Sequence, residues 1–257
     1  MVIARRHLGA LATALLGGCT TLPPPRIAGG TVGDADAAWS HVLRERVDDM
    51  GRVDFAGLSD EPALLNAYVA HVGATPPDSL ADRNMRIAYL INSYNALAMW
   101  GVLQHGIPER LSLLGRVGFF KATRVTVGGR RISLYDYEND VIRPLDEERV
   151  HFALNCMVVS CPRLPRVPFT GPGLDRELDA SARLFFSEPR NLQLDEERRT
   201  MRVSAILDFY TEDFLKKAPT LSAYVNRYRA PPVPADFRTA FLDYDWTLNR
   251  WPGQRVA

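Results

Sequence analysis

The sequence predicts an α+β fold, mostly helical, in which a single domain carries a small antiparallel sheet. Two patterns predict it. Apolar residues recur at i, i+3, i+4 and i+7 over long stretches, above all between Ala81 and His105. Two other stretches, 119–134 and 192–203, read as hairpins around short turns. A hydrophobic fraction of 46% and a charged fraction of 24% are those of an ordinary folded chain.

Taken in order, Ala37–Val47 has helical spacing, with Trp39, Val42, Leu43 and Val47 apolar, and Arg52–Phe55 reads as a short strand. Glu61–Val72 is a second helix. Ala81–His105 is the longest, stopped by Gly106 and Pro108. Around Gly128-Gly129, Arg124–Val127 and Arg130–Leu134 alternate as hairpin strands. Asp136–Ile142, Glu147–Asn155 and Leu174–Ser187 return to helix. Leu192–Val203 is the second hairpin, turning at Asp195-Glu196-Glu197. Ser204 caps a helix to Leu215, and Asp208, Glu212 and Asp213 read as acidic residues near its start. Leu221–Tyr228 and Ala235–Phe241 are shorter helices.

The N-terminus carries an address. Arg5, Arg6 and His7 precede an uncharged apolar run, Leu8–Leu16, and then Gly17-Gly18-Cys19. A basic start, a short apolar segment and small residues at the cut define a signal peptide over residues 1–18. The run is too short to span a membrane, which takes about 20 residues. The small-small-Cys ending resembles a lipobox, which implies that Cys19 becomes the diacylglycerol-bearing first residue of the mature chain. Two acyl chains on one sulfur anchor stably. Thr20 rather than Asp follows, which points to the outer membrane, facing the periplasm; the paired arginines permit twin-arginine export, but the flanking residues favour the Sec route. Residues 19–35, with Pro23-Pro24-Pro25 and Gly29-Gly30, read as a tether, and 36–250 as one globular domain.

Losing Arg5 and Arg6 with the leader takes the formal charge from +1 to about −1. There is no basic stripe, so nucleic-acid binding has no electrostatic support. The chain has no Gly-rich phosphate loop and no Gly-x-Ser-x-Gly elbow. No cofactor is expected. No metal site is expected either, because two cysteines and a histidine at these spacings lack the pattern zinc prefers.

The chemistry concentrates in His151–Leu164. Apart from Cys19, Cys156 and Cys161 are the only cysteines, five positions apart. Three readings stay open. In an oxidising periplasm the two can be bridged, but on a continuous helix their Cα atoms would lie about 8–9 Å apart, beyond bridging reach. A bridge therefore needs the helix to end near Cys156, which β-branched Val158-Val159 and Pro162 favour. Alternatively, Cys161 is a nucleophile with His151 as base. Or both thiols pack as small buried hydrophobes and His151 is a core histidine. Asn92 and Asn95 share one face of the long helix and, if buried, need partners, either in a neighbouring loop or in a polar pocket beside the cysteines. Glu138 is a further candidate orienting group.

These blocks resemble a family, domain of unknown function 547, found in bacterial envelope proteins and in plant proteins. Val53-Asp54-Phe55 is similar to its early strand. Ala88–Ala98 resembles its Asn-rich helix. His151–Cys156 and Ser160-Cys161-Pro162-Arg163-Leu164 resemble its cysteine block, and Asp245–Asn249 a closing motif of bacterial members. The resemblance carries no settled activity. Similar cysteine blocks in plant members without secretion signals fit poorly with an obligatory bridge. Members often have Glu-His where this chain has Glu138-Asn139, which removes one histidine base. The sequence thus favours a lipid-anchored envelope scaffold or binding module with Cys156 and Cys161 as a structural pair, and Ser160 beside them. The alternative is a thiol-dependent enzyme of acyl transfer or amide hydrolysis, with Cys161 as nucleophile and His151 as base. The protein or small-molecule partner is left open.

Overall fold

A computed structural model describes residues 20–26 and 34–253. The leader and Cys19 lie outside the described residues. The fold is α+β: ten helices and two three-stranded sheets among the described residues.

The chain is organised around one helix. Asp82 caps α4 (Arg83–Gln104) by accepting from the Met85 amide at 2.7 Å, and the helix ends where Gly106 takes a φ of +73°. Its residues from Ile87 to Val102 are nearly all buried, because neighbours cover it on most sides. One layer is formed by α1 (Ala35–Arg46) and α3 (Ala63–Ala74), joined by the short α2 (Phe55–Asp60), with Trp39 stacked on Tyr68 at 5.3 Å. Among the described residues no helix is long and apolar enough to cross a membrane.

The first hairpin pairs β2 (Thr123–Val127) with β3 (Arg130–Ser133) across Gly128-Gly129, both at positive φ. A side chain at Gly128 would meet the backbone of Pro76 at 2.4 Å, so glycine is required there. The hairpin begins later than the alternation suggests. Residues 117–122 are wound as a π-helical turn that follows α5 (Leu113–Arg116), and Phe119 points into the core. Short α6 (Leu134–Asp136) likewise runs into a π-helical turn at Tyr137–Ile142.

The start of the supposed tether is not free. Thr20–Thr21 forms β1, parallel to β2 with Thr20 opposite Thr123, and the Leu22 amide donates to the Arg124 carbonyl at 2.8 Å. The unpaired edge of β2 and burial of Leu22 against the core explain the docking. Arg52–Phe55, expected as a strand, makes only single bridges at Val53, and Asp54 then caps α2.

A second apolar cluster is aromatic: Phe152, Phe185, Phe186, Phe214, Tyr224 and Tyr228. It is covered by α7 (Leu174–Ser187) and by β4 (Leu192–Asp195) paired with β5 (Thr200–Ser204). The helix expected over 204–215 is broken at Tyr210 into α8 (Ile206–Phe209) and α9 (Thr211–Leu215). After α10 (Leu221–Val225), where a helix was expected over Ala235–Phe241, residues 238–242 form β6, which pairs in parallel with β5. Each sheet is therefore mixed, with one parallel strand beyond the expected hairpin. A free strand edge outweighs the weak helical spacing of so short a segment.

Candidate functional site

A cavity of about 430 Å³ opens where the two apolar clusters meet. Both π-helical turns line it, one through Val117, Phe120 and Lys121 and the other through Glu138 and Asn139. Such turns re-aim side chains that a regular helix would stack away, and they are frequent at functional sites.

The cysteine loop forms the floor, and its shape has a local cause. A 3-10 turn, Glu148–Phe152, ends the helical stretch before Cys156. Asn155 then clamps the following loop: its amide donates to the Pro162 carbonyl at 2.6 Å and its oxygen accepts from the Met157 amide at 2.7 Å. Met157 takes a φ of +67° inside this clamp. Asn95 of α4 fixes the loop from behind, donating to the Ala153 carbonyl at 3.0 Å and accepting from the Asn155 amide at 2.7 Å. Asn92 does the same for another segment, binding both backbone groups of Phe169 and accepting from the Trp39 indole. Neither asparagine lines the cavity; both staple loops to the central helix.

The C-terminal segment closes the loop from the other side. Val158 bridges to Leu248, the Val159 amide donates to the Thr247 carbonyl, and Ser160 exchanges hydrogen bonds with Asp245. Ser160 is thus a strut. The pairing delivers Tyr244 and Trp246 into the cavity wall.

The clamp brings Cys156 and Cys161 together, both as free thiols, with their sulfurs 2.7 Å apart. Cys161 Sγ also accepts from the Cys156 backbone amide at 3.1 Å and lies 3.4 Å from the Tyr244 hydroxyl. Burial opposes ionisation of Cys161, but hydrogen bonds from the Cys156 thiol, the Tyr244 hydroxyl and the backbone outweigh it and bring its pKa below the ordinary thiol value. Cys156 moves the other way. The hydrogen bond it gives to Cys161, with burial, holds its thiol well above that value. The two shifts run in opposite directions, so of the pair it is Cys161 whose ionisation the surroundings favour.

His151 lines the same cavity but is not the expected base for Cys161. Its Nε2–H donates to Asp213 Oδ2 at 3.0 Å, Nδ1 lies 4.0 Å from Glu138 Oε1, and its ring stacks on Tyr210 at 3.8 Å. None of its hydrogen bonds reaches Cys161. The reason is the break at Tyr210, which turns Asp213 inward, away from the solvated helix start expected of it. The hydrogen bond from His151 holds the Asp213 carboxyl well below the usual carboxylate range; burial opposes this, and Arg143, at 2.8 Å, and Lys216 add to the lowering. Glu138 accepts from the Tyr94 hydroxyl at 3.3 Å. Burial, helped by the negative Glu138, raises the phenols of Tyr94 and Tyr210 well above their ordinary value.

The structure therefore brings Cys156, Cys161, His151 and Glu138 to one cavity and leaves Asn92, Asn95 and Ser160 as supports. Sequence reasoning missed Tyr244 and Arg116, and it misassigned Asp213. The closing motif at 245–249 was the available signal for Tyr244, one residue ahead of it.

The site defined by this geometry is an aromatic-walled cavity over a polar, thiol-bearing floor. Residues 77–186 match the family described as protein of unknown function, DUF547. That span covers α4, both π-helical turns, the cysteine loop and most of α7. No curated protein and no solved structure matches the chain.

Proposed function

We propose that this chain is a lipid-anchored protein of the bacterial envelope, carried by Cys19 on the outer membrane and facing the periplasm. We further propose that its cavity is a thiol-dependent active site for acyl transfer or amide hydrolysis. The observation that carries the second reading is the set of donors aimed at Cys161 Sγ: the Cys156 amide, the Cys156 thiol and the Tyr244 hydroxyl. A sulfur that only fills space needs no such set. A nucleophilic thiolate does. In this scheme Cys161 attacks the carbonyl, and the C–N or C–O bond breaks as the departing group takes the Cys156 proton. Water or an acceptor nucleophile entering by the mouth then releases the acyl group from Cys161 and returns a proton to Cys156. His151, through Asp213, Tyr210 and its proximity to Glu138, is a positioning residue.

A second reading keeps support from one distance. Sulfurs 2.7 Å apart in an oxidising compartment are poised to join, and a bridge would make the pair structural and the cavity a binding pocket.

Iodoacetamide labelling of folded, reduced protein, mapped by peptide mass, separates the two. Modification of Cys161 in the native state, lost in Cys161→Ser, supports the enzyme. Labelling that appears only after unfolding, together with a bridge in the intact mass without reductant, supports the structural pair. For the anchor, the mature chain carries the added mass of diacylglycerol on residue 19, and Cys19→Ser moves the protein to the soluble fraction. An unmodified Cys19 would remove the anchor reading.

A further inference from the structure

The mouth of the cavity differs from its floor in having nothing to pack against. Leu113 is 69% exposed, Leu114 83% and Val117 50%, all on α5 and the π-helical turn that follows. Phe209 and Tyr135 flank the same opening at 50% and 44%. An exposed apolar group of this kind, bordering one opening, marks a contact surface. Two cations sit among these residues. Arg116 lies over the Trp246 ring at 4.4 Å and Lys121 over the Tyr135 ring at 4.3 Å. Neither is in an ion pair with a carboxylate among the described residues, and the buried Arg116 Nε has no hydrogen-bond partner.

The position of β1 brings the N-terminal entry of the described chain close to this surface. Thr20 pairs in parallel with Thr123, so the chain enters the fold at the start of β2, directly after Lys121-Ala122. Leu22 is hydrogen-bonded to Arg124, and Pro24 packs on Gly73, so this entry is fixed and not a loose tether. Residue 19 directly precedes Thr20 in the chain, so anything it carries covalently joins the chain at this entry.

We propose that the Leu113–Lys121 rim sits in the headgroup layer of the bilayer that holds the N-terminal lipid, so that the cavity opens onto the membrane and takes its ligand from it. This rests on the lipid-anchored reading. Leucine, valine and aromatic rings, with cations seated over two of those rings, is the composition of an interfacial segment. The unpaired Arg116 and Lys121 match anionic headgroups. The ligand class that follows is a membrane amphiphile: its chain lies along the aromatic walls, its acidic group meets the two cations, and its acyl or amide bond is presented to Cys161.

The test uses the full protein reconstituted into phosphatidylethanolamine–phosphatidylglycerol vesicles carrying a diazirine phospholipid, with adducts mapped by peptide mass. The expected result is labelling of peptides spanning 113–121. In Leu113→Asp/Leu114→Asp, rim labelling falls about tenfold or more, while labelling of the N-terminal peptide is unchanged. The Cys19→Ser chain added to the same vesicles is a second arm, and the intact mass of the reconstituted protein reports the anchor independently. Rim adducts in either protein support the proposal, even if the mass shows no acylation. Absence of rim adducts in both overturns it, even if the anchor is present.

Discussion

The floor and the mouth of the cavity are built on opposite principles. On the floor the supporting side chains each make two or more hydrogen bonds: Asn155 clamps the loop, Asn95 holds it to α4, and Asp213 receives His151, Arg143 and Lys216. At the mouth, Leu113 and Leu114 are exposed, and Arg116 and Lys121 have no carboxylate partner among the described residues. An over-determined floor fixes charge and geometry, which is what chemistry needs. A mouth with unmet apolar area and unmet charge is complete only against something else. Floor substitutions should therefore cost stability or reactivity, whereas mouth substitutions should cost neither in solution.

The largest effect is expected at Asn155. Its replacement by alanine leaves the Pro162 carbonyl and the Met157 amide without partners in a buried loop, a loss of about 3 kcal/mol. Denaturant unfolding measures it, and a loss below about 1 kcal/mol would mean the clamp does not hold the loop. Next is Asp213. Asp213→Ala removes the partner of His151 and Arg143 and should cost about 2 kcal/mol near neutral pH. Because its folded pKa is depressed, the contribution of Asp213 is fully present above the ordinary carboxylate value near pH 4 and is lost as the pH falls below it. Unfolding curves of wild type and variant should therefore converge in acid; a constant gap would contradict the assignment.

Tyr244→Phe is a smaller change. It removes one hydroxyl from Cys161 and should raise the half-point of Cys161 alkylation by about one pH unit with little change in folding. An unmoved half-point would remove Tyr244 from the thiol site. Smallest of all, Leu113→Ser/Leu114→Ser should change stability in solution by no more than about 0.5 kcal/mol. A larger loss would show that the rim is packed and not free.

Much of the fold was legible because it follows from local spacing. The periodicity of Ile87, Leu90, Ile91 and Tyr94 defines α4, Gly128-Gly129 defines the first hairpin, and Leu174–Ser187 has the bounds its spacing predicts. What was not legible depends on edges and breaks. β1 and β6 exist because β2 and β5 offer free edges, which no property of residues 20–21 or 238–242 announces. The π-helical turns at 117–122 and 137–142 look like plain helix or strand in the pattern. At the site, the proximity of Cys156 and Cys161 was readable, given a helix that ends early. The partner of His151 was not, since it comes 62 positions later in the chain, where the break at Tyr210 turns Asp213 inward. Tyr244 reaches the sulfurs only through the pairing of 245–249 with 157–160.

The central claim is that the neighbours of Cys161 favour its thiolate. Titrating the ultraviolet thiolate absorbance of reduced protein, as the difference between wild type and Cys161→Ser, measures it directly. The account predicts a half-point below the ordinary cysteine value of about 8.5, rising in Tyr244→Phe. A half-point at or above that value, unmoved by the variant, would contradict it.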